Sequence, residues 1–475
     1  MTLSDFLMMR NELILILVAI IIVIAELAYK SDKQQKIIPL TLWLFFAVTI
    51  IGFFPASKGI LFGGMFKNTD LTILMKNILN IGVLIIFIQS YAWIRKEENN
   101  YKIAEYFILI LSTVIGMNFM ISSGDFLMFY LGLELATIPV AALAAYERYK
   151  NKSAEAGVKL ILSSALSSAI LLYGISMIYG STGSIYFSEI SQYISGNSLQ
   201  TLAFIFFFAG MAFKISLVPF HLWAADVYEG SPVNITSFLS VISKGAAVFI
   251  LTMVMFTVFS PISAIWKDVV YVIAVLTMTV GNLFALRQQN MKRFLAFSSI
   301  AQAGFILLGI IDGSQLGMSS VIYFVLIYIF SNLGAFGVVA AISNVTGKET
   351  MSDYNGMYRT NPKLCLIMML AMFSLAGIPP VAGFFGKFFL FASAAHQGYY
   401  WLVFIAVLNA TISLYYYLMP IKAMFINKSE EPIAYFKSDN VTRLGLVICV
   451  AGLVIIGFAS NIYEYIRYFS FGSGS

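Results

Sequence analysis

Cysteine, histidine and charge are all scarce in this chain. Two cysteines, Cys365 and Cys449, and two histidines, His221 and His396, are too few and too scattered for haem, iron–sulfur or zinc ligation. No glycine-rich nucleotide loop is present either, so neither redox chemistry nor nucleotide hydrolysis is expected in this polypeptide. Charged residues make up only 11% of the 475 positions, while 60% are hydrophobic. With a mean hydropathy of +0.87, that balance excludes a soluble globule.

What fills the chain is long apolar runs. A helical span needs about 20 such residues, and about fourteen runs are separated by short polar links, the first being Leu13 to Ala28. The expected fold is therefore all-α and polytopic. The first run lacks a small-residue cleavage site and reads as a span rather than a signal peptide. The closing Gly472-Ser473-Gly474-Ser475 has the composition of a linker remnant and carries no argument.

Lysine and arginine give an orientation, because basic residues remain on the cytoplasmic side. Links after odd-numbered spans hold Lys30, Lys33 and Lys36; Arg95, Lys96 and Lys102; Arg148, Lys150 and Lys152; Arg287, Lys292 and Arg293; Lys348, Arg359 and Lys363; and Lys422, Lys428, Lys437 and Arg443. Links after even-numbered spans hold Lys58, Lys67 and Lys267. Both termini are expected outside, and the net charge of +6 follows from this bias without any nucleic-acid partner.

Against this background four charges stand out in mid-span: Glu134, Lys214, Lys244 and Lys387. Such a group at the bilayer centre costs about 2.5–3.5 kcal/mol on insertion scales, so it normally faces a partner or a wet cavity. The competing reading, inert ion pairs or snorkelling side chains, fits Glu26 and Lys159 near helix ends better than it fits these four. His221 suits a relay or a hydrogen-bonded structural role equally, and His396, at a helix end, reads as structural.

Proline adds a second signal. Pro219 interrupts span seven, and Pro379-Pro380 interrupts span twelve. Each proline removes a donor and frees the carbonyl four residues earlier, at Ile215 and at Leu375 and Ala376. Freed carbonyls in hydrocarbon are tolerated only against protein or a wet cavity. Spans seven and twelve run in opposite directions, so two inverted five-helix repeats are expected, spans 4–8 and 9–13. The corresponding segments are 1–104 for the first three helices, 105–260 and 261–426 for the repeats, and 427–475 for the last helix and tail. Glu134 precedes Pro139 by five residues, as Lys214 precedes Pro219. Polar stripes at Lys159, Ser163 and Ser167, at Ser237, Ser240 and Lys244, and at Asn409 and Ser413 are candidates for lining a file of water. A buried lysine whose carboxylate partner moves can switch between proton uptake and release, which makes Glu134 and Lys214 a candidate pair.

Several segments carry a family resemblance: Gly132-Leu133-Glu134-Leu135 with Pro139; Glu155-Ala156-Gly157-Val158-Lys159; Phe213-Lys214 through His221-Leu222-Trp223 to Asp226-Val227-Tyr228-Glu229-Gly230-Ser231-Pro232; Lys292-Arg293 to Ser298-Ser299; and Ser374 through Pro379-Pro380 to Gly386-Lys387-Phe388. Taken in order, they closely resemble the antiporter-like membrane subunits of proton-pumping NADH:quinone oxidoreductase, respiratory complex I. Subunits L and M, and multi-subunit sodium/proton antiporters, typically carry a His-x-Trp-Leu-Pro-x-Ala-His stretch where this chain has Asp226 to Gly230, and subunit M a glutamate at Lys387. The subunit N branch fits better. The resemblance implies two linked half-channels, with Glu134 and Lys214 as coupling pair, Lys244 as central relay, Lys387 in the second half and Lys159 on the input side. Many members carry a histidine where Gln302 stands, so a relay here would use water, Ser298, Ser299, or tyrosines such as Tyr323 and Tyr328. It further implies an obligate hetero-oligomer in a bacterial plasma membrane, in contact with lipid and with neighbours of the M, K and J kind. NADH, FMN, iron–sulfur clusters and quinone would belong to partner subunits. A cation/proton antiporter subunit and a non-pumping scaffold are the alternatives.

Overall fold

Fourteen apolar helical segments form the body of the computed structural model, which describes residues 6–29, 31–459 and 461–470. Thirteen are long enough to cross a bilayer unaided, from Leu7–Ala28 and Gln34–Gly52 to Tyr400–Phe425 and Asn440–Phe458. The remaining one, Pro362–Ala376, is short because span twelve is broken and continues as Ala382–His396. Lys30 and the Gly-Ser ending lie outside the described residues, as does the side chain of Lys33. The protein is a multi-pass membrane protein.

Burial differs sharply among the spans. The apolar cores of span ten, Met291–Asp312, and span eleven, Gln315–Thr346, are fully enclosed, and that of span eight, Val233–Thr257, nearly so. These three are the axis of the molecule. Span six, Asn151–Thr182, lies at the edge and turns Val158, Leu162, Leu166 and Tyr173 outward, as suits a face toward lipid or another subunit.

Outside the spans the chain adds elements that apolar runs do not announce. A short hairpin pairs Gly59–Leu61 with Phe66–Asn68. A terminal helix, Asn461–Ser470, lies beside that hairpin, where Lys58, Ile60, Thr69 and Phe469 line one pocket. The hairpin precedes span three, and Arg10 at the start of span one donates to the carbonyls of Phe54 and Pro55. The first and last described helices therefore meet at one end of the bundle.

The two proline breaks share one geometry. At span seven the helix closes on Ser216, with φ 65°, and Leu217 N–H donates back to Ala212 O at 2.8 Å. At span twelve it closes on Gly377, with φ 87°, and Ile378 N–H donates to Phe373 O at 2.9 Å. Both are left-handed closures in which an amide reaches back five residues to an end carbonyl. A cis peptide precedes Pro219 and Pro380, each three residues after the closure. Glycine adopts the left-handed conformation without a Cβ penalty. Serine at 216 does not, and only dense packing holds it there.

Candidate functional site

All four mid-span charges sit beside an irregular backbone. Span five breaks at Ala136–Thr137, between Phe126–Leu135 and Ile138–Ala144, immediately after Glu134. Lys214 is in the last turn before the closure at Ser216. Lys244 follows a single π-turn, Leu239–Ser243, a feature common at functional sites and invisible in the residue pattern. Lys387 lies in the half-helix after the break of span twelve.

Lys387 confirms the reading of the prolines most directly. Its ammonium donates to Leu375 O at 2.8 Å and to Ala376 O at 3.0 Å, the two carbonyls that Pro379 and Pro380 release. It also stands 4.8 Å from the centre of the Phe305 ring, an arrangement favourable to a cation. The side chain is 5% exposed, so these contacts replace its hydration.

Lys244, 3% exposed, donates to Ser299 Oγ at 2.9 Å and to Ser299 O at 3.2 Å. Beside it lies a polar cluster from three spans. Asn332 Nδ2 donates to Ser240 Oγ at 2.9 Å and to the Tyr328 hydroxyl at 2.5 Å, and the Tyr228 hydroxyl faces Ser240 and Ser299.

Between these lysines runs a series of polar groups, hydrogen-bonded from Ser298 onward and interrupted between Ser299 and Ser298. Ser298, next to Ser299, shares a 2.6 Å hydrogen bond with the Tyr417 hydroxyl. Gln302 Nε2 donates to that hydroxyl at 2.8 Å and to Leu375 O at 2.9 Å, the carbonyl that Lys387 also uses. Tyr417 and Asn332 were not singled out in the sequence, because 26 tyrosines obscure one another and asparagine in mid-span has no motif. Tyr323 does not join this chain. Its hydroxyl points to Ile456 O at 3.4 Å, and its ring packs against Phe389 and Tyr463.

Glu134 and Lys214 are close enough for their charges to act on each other, but they make no ion pair within 4.0 Å. Lys214 instead donates to Thr137 Oγ1 at 2.6 Å, and Thr137 donates to Leu133 O. The hydroxyl at the break of span five thus serves Lys214, while Glu134 Oε1 is buried without a hydrogen-bond partner. His221 lies in the segment after the span-seven break, 6% exposed, with Nδ1 unpartnered.

Lys159 belongs to a charged cluster at a helix end. It approaches Glu155 and Asp226, each at 2.7 Å; Arg293 reaches Asp226 at 2.8 Å and Glu229 at 3.0 Å; Lys152 meets Glu229 at 3.0 Å. These groups line a cleft of about 130 Å³. Burial would raise the carboxyls of Asp226 and Glu229, but hydrogen bonds from Lys159, Lys152 and Arg293 outweigh it, and both are held below their ordinary range. The serine stripes are tied down more than expected: Ser163, Ser237 and Ser413 bond to carbonyls of their own helices and Ser167 to Gly210 O. Serine hydroxyls in apolar helices find the nearest backbone acceptor. Among the described residues, no group of three or more His, Cys, Asp or Glu side chains could hold a metal ion.

Residues 123–413 match the family described as "NADH:quinone oxidoreductase/Mrp antiporter, TM". A relative named NADH-quinone oxidoreductase subunit N, from Phocaeicola vulgatus, is 48% identical, with 98% of each chain aligned. The chain belongs to the subunit N family. Within the structures, a chain of respiratory complex I from Thermus thermophilus with bound aureothin superposes on this subunit N family member with a TM-score of 0.78 at 28% identity, covering 94% of this chain and 96% of that one. A chain of the Mrp complex from Dietzia sp. DQ12-45-1b shares the fold, with a TM-score of 0.85 at 20% identity and coverage of 99% and 97%. As a family member, this chain is an antiporter-like membrane subunit of NADH:quinone oxidoreductase.

Proposed function

We propose that this subunit moves protons across the membrane, driven by quinone reduction in partner subunits, through the relay Glu134, Lys214, Lys244 and Lys387. The observation that carries the reading is the series of polar groups from Lys244 to Ser299, and, one residue along, from Ser298 through Tyr417 and Gln302 to the Leu375 carbonyl and Lys387. Hydroxyls can both donate and accept, so the chain can pass a proton once the gaps are bridged. Gln302 cannot titrate. It holds the Tyr417 hydroxyl and the freed carbonyl together, and its buried Oε1, with no protein partner, is a place for a bridging water.

In this reading the cluster of Lys159, Asp226 and Arg293 is the input on the cytoplasmic side, and both termini face outward, as the lysine and arginine bias predicts. The two repeats, 105–260 and 261–426, contribute one half-channel each, flanked by 1–104 and 427–475. Glu134 and Lys214 are only half-buried, and Leu131, Leu135 and Ile138 are exposed around them. Half-buried charges in mid-membrane call for a covering neighbour. A membrane-arm subunit of the M, K or J kind would fill that place in a bacterial plasma membrane, with NADH, FMN, iron–sulfur clusters and quinone held elsewhere in the complex.

The test uses inside-out vesicles containing the complex. Donor-driven acidification that is abolished by a protonophore and needs no added sodium or potassium gradient is expected. Acidification driven by a cation gradient without an electron donor would favour an antiporter subunit instead. Wild-type pumping by a complex carrying Lys244→Met would favour a scaffold.

A further inference from the structure

One buried ion pair lies outside the antiporter repeats. Glu12 in span one and Lys76 in span three approach to 2.6 Å, and both side chains are 0% exposed. The approach lacks hydrogen-bond geometry, so Glu12 Oε1, Glu12 Oε2 and Lys76 Nζ all remain without a hydrogen-bond partner. Two fully enclosed charges in an apolar bundle here neutralise each other through one contact and leave the rest of their hydrogen-bonding capacity unfilled.

Their surroundings are polar and equally unpaired. Lys76 Nζ stands 5.1 Å from the ring of Phe66, and Phe66 bridges to Ser123. Ser122, whose carbonyl accepts from Lys67 N–H, has a buried hydroxyl with no partner. One turn earlier, Asn118 is 0% exposed, and neither end of its amide has a partner. One turn beyond Lys76, Asn80 is 1% exposed with Oδ1 unpaired. Buried polar groups are nearly always paired with protein or ordered water, so so many together mark a hydrated space. It lies toward the end of the bundle that holds the hairpin Gly59–Asn68, since Ser122 O accepts from Lys67 N–H. Inward, span three packs on span eight beside the relay: the Leu79 side chain, next to Asn80, would lie 3.3 Å from a Cβ on Gly245, which follows Lys244.

We propose that Glu12 and Lys76, with Asn80, Asn118 and Ser122, form a water-filled proton-binding vestibule between spans one, three and four, leading from the hairpin end of the bundle toward Lys244. Its ligand is the proton carried by water. The role in pumping rests on the proposed function above; the hydration does not.

Two measurements on the assembled complex test it. A cryo-electron-microscopy map fine enough to show waters is expected to place ordered waters against Glu12, Lys76, Asn118 and Ser122. A dry site, with these groups paired to one another, overturns the vestibule whatever the complex pumps. In vesicles, Glu12→Gln and the neutral pair Glu12→Gln/Lys76→Gln are compared with wild type for protons per electron at matched quinone-reductase rate. Removal of the carboxylate is expected to lower the ratio at least twofold in both, with the amount of assembled complex unchanged. Wild-type ratios in either variant overturn the proton-binding role. Should the single variant not assemble, the neutral pair decides, since it buries no unpaired charge. Loss of pumping in Glu12→Gln alongside full pumping in Lys214→Ala would leave the vestibule standing and remove the relay.

Discussion

Replacing Tyr417 by phenylalanine isolates one atom in the proposed path. The ring is fully enclosed and packs edge-on to Phe294 and against Tyr416, contacts that phenylalanine keeps. Two hydrogen bonds disappear, at 2.6 Å to Ser298 and 2.8 Å from Gln302. Gln302 still donates to Leu375 O, so only the Ser298 hydroxyl is left with no partner. An unsatisfied buried group costs about 1–3 kcal/mol, which a chain with this much buried apolar surface absorbs without loss of assembly. The proton path suffers differently. If the barrier rises by a similar 1.5–3 kcal/mol, at roughly 1.4 kcal/mol per tenfold, coupled turnover falls about tenfold to a hundredfold. The assay is donor-driven quinone reduction in sealed vesicles with and without a protonophore, with assembly checked on native gels. Tyr417→Phe complex that assembles fully and pumps at wild-type rate would refute a relay through this hydroxyl.

Other substitutions test neighbouring parts of the account. Lys387→Met leaves Ala376 O without its donor, at about 1–3 kcal/mol, while sparing the burial of an ammonium; assembly is expected to survive and the proton-to-electron ratio to fall, and an unchanged ratio would remove Lys387 from the path. Gly383→Ala would place a Cβ 1.7 Å from Ser374 O, forcing the half-helices of span twelve apart, with about 1–3 kcal/mol of destabilisation visible as a lower melting temperature of the complex; a wild-type melting curve would contradict the close packing. Asp226→Asn removes a carboxylate held below its ordinary value of about 3.9. A depressed carboxyl stabilises the folded state above that value and ceases to do so as pH falls through the depressed one, so the melting-temperature gap between wild type and variant should be full at pH 7 and close under acid conditions. A gap independent of pH would show that the cluster is not electrostatic.

How far the residues alone foretold this arrangement depended on whether a signal was covalent. Proline is: Pro379 and Pro380 had to free Leu375 and Ala376, and Lys387 reaches those two carbonyls. The fourteen spans were equally legible, since apolar length is set by the bilayer. The span-five break was half-legible, with Pro139 pointing to it, but not the hydrogen bond that Lys214 makes to Thr137 there. Nothing in Leu239 to Ser243 announces a π-turn, because that register is decided by packing within an enclosed helix. Tyr417 and Asn332 gain meaning chiefly from neighbours more than 80 residues away in the chain. The Glu12–Lys76 pair was hidden for another reason: each charge stands near the end of its span, where snorkelling is the ordinary expectation, and only the fold shows both enclosed.

The central claim is that protons cross this subunit by way of its buried lysines. Protons pumped per electron, in vesicles holding wild-type or Lys214→Ala complex at matched quinone-reductase rates, measures it most directly. A lower ratio, or loss of coupled turnover, is the predicted result; an unchanged ratio at an unchanged rate would contradict the account and leave the subunit a scaffold.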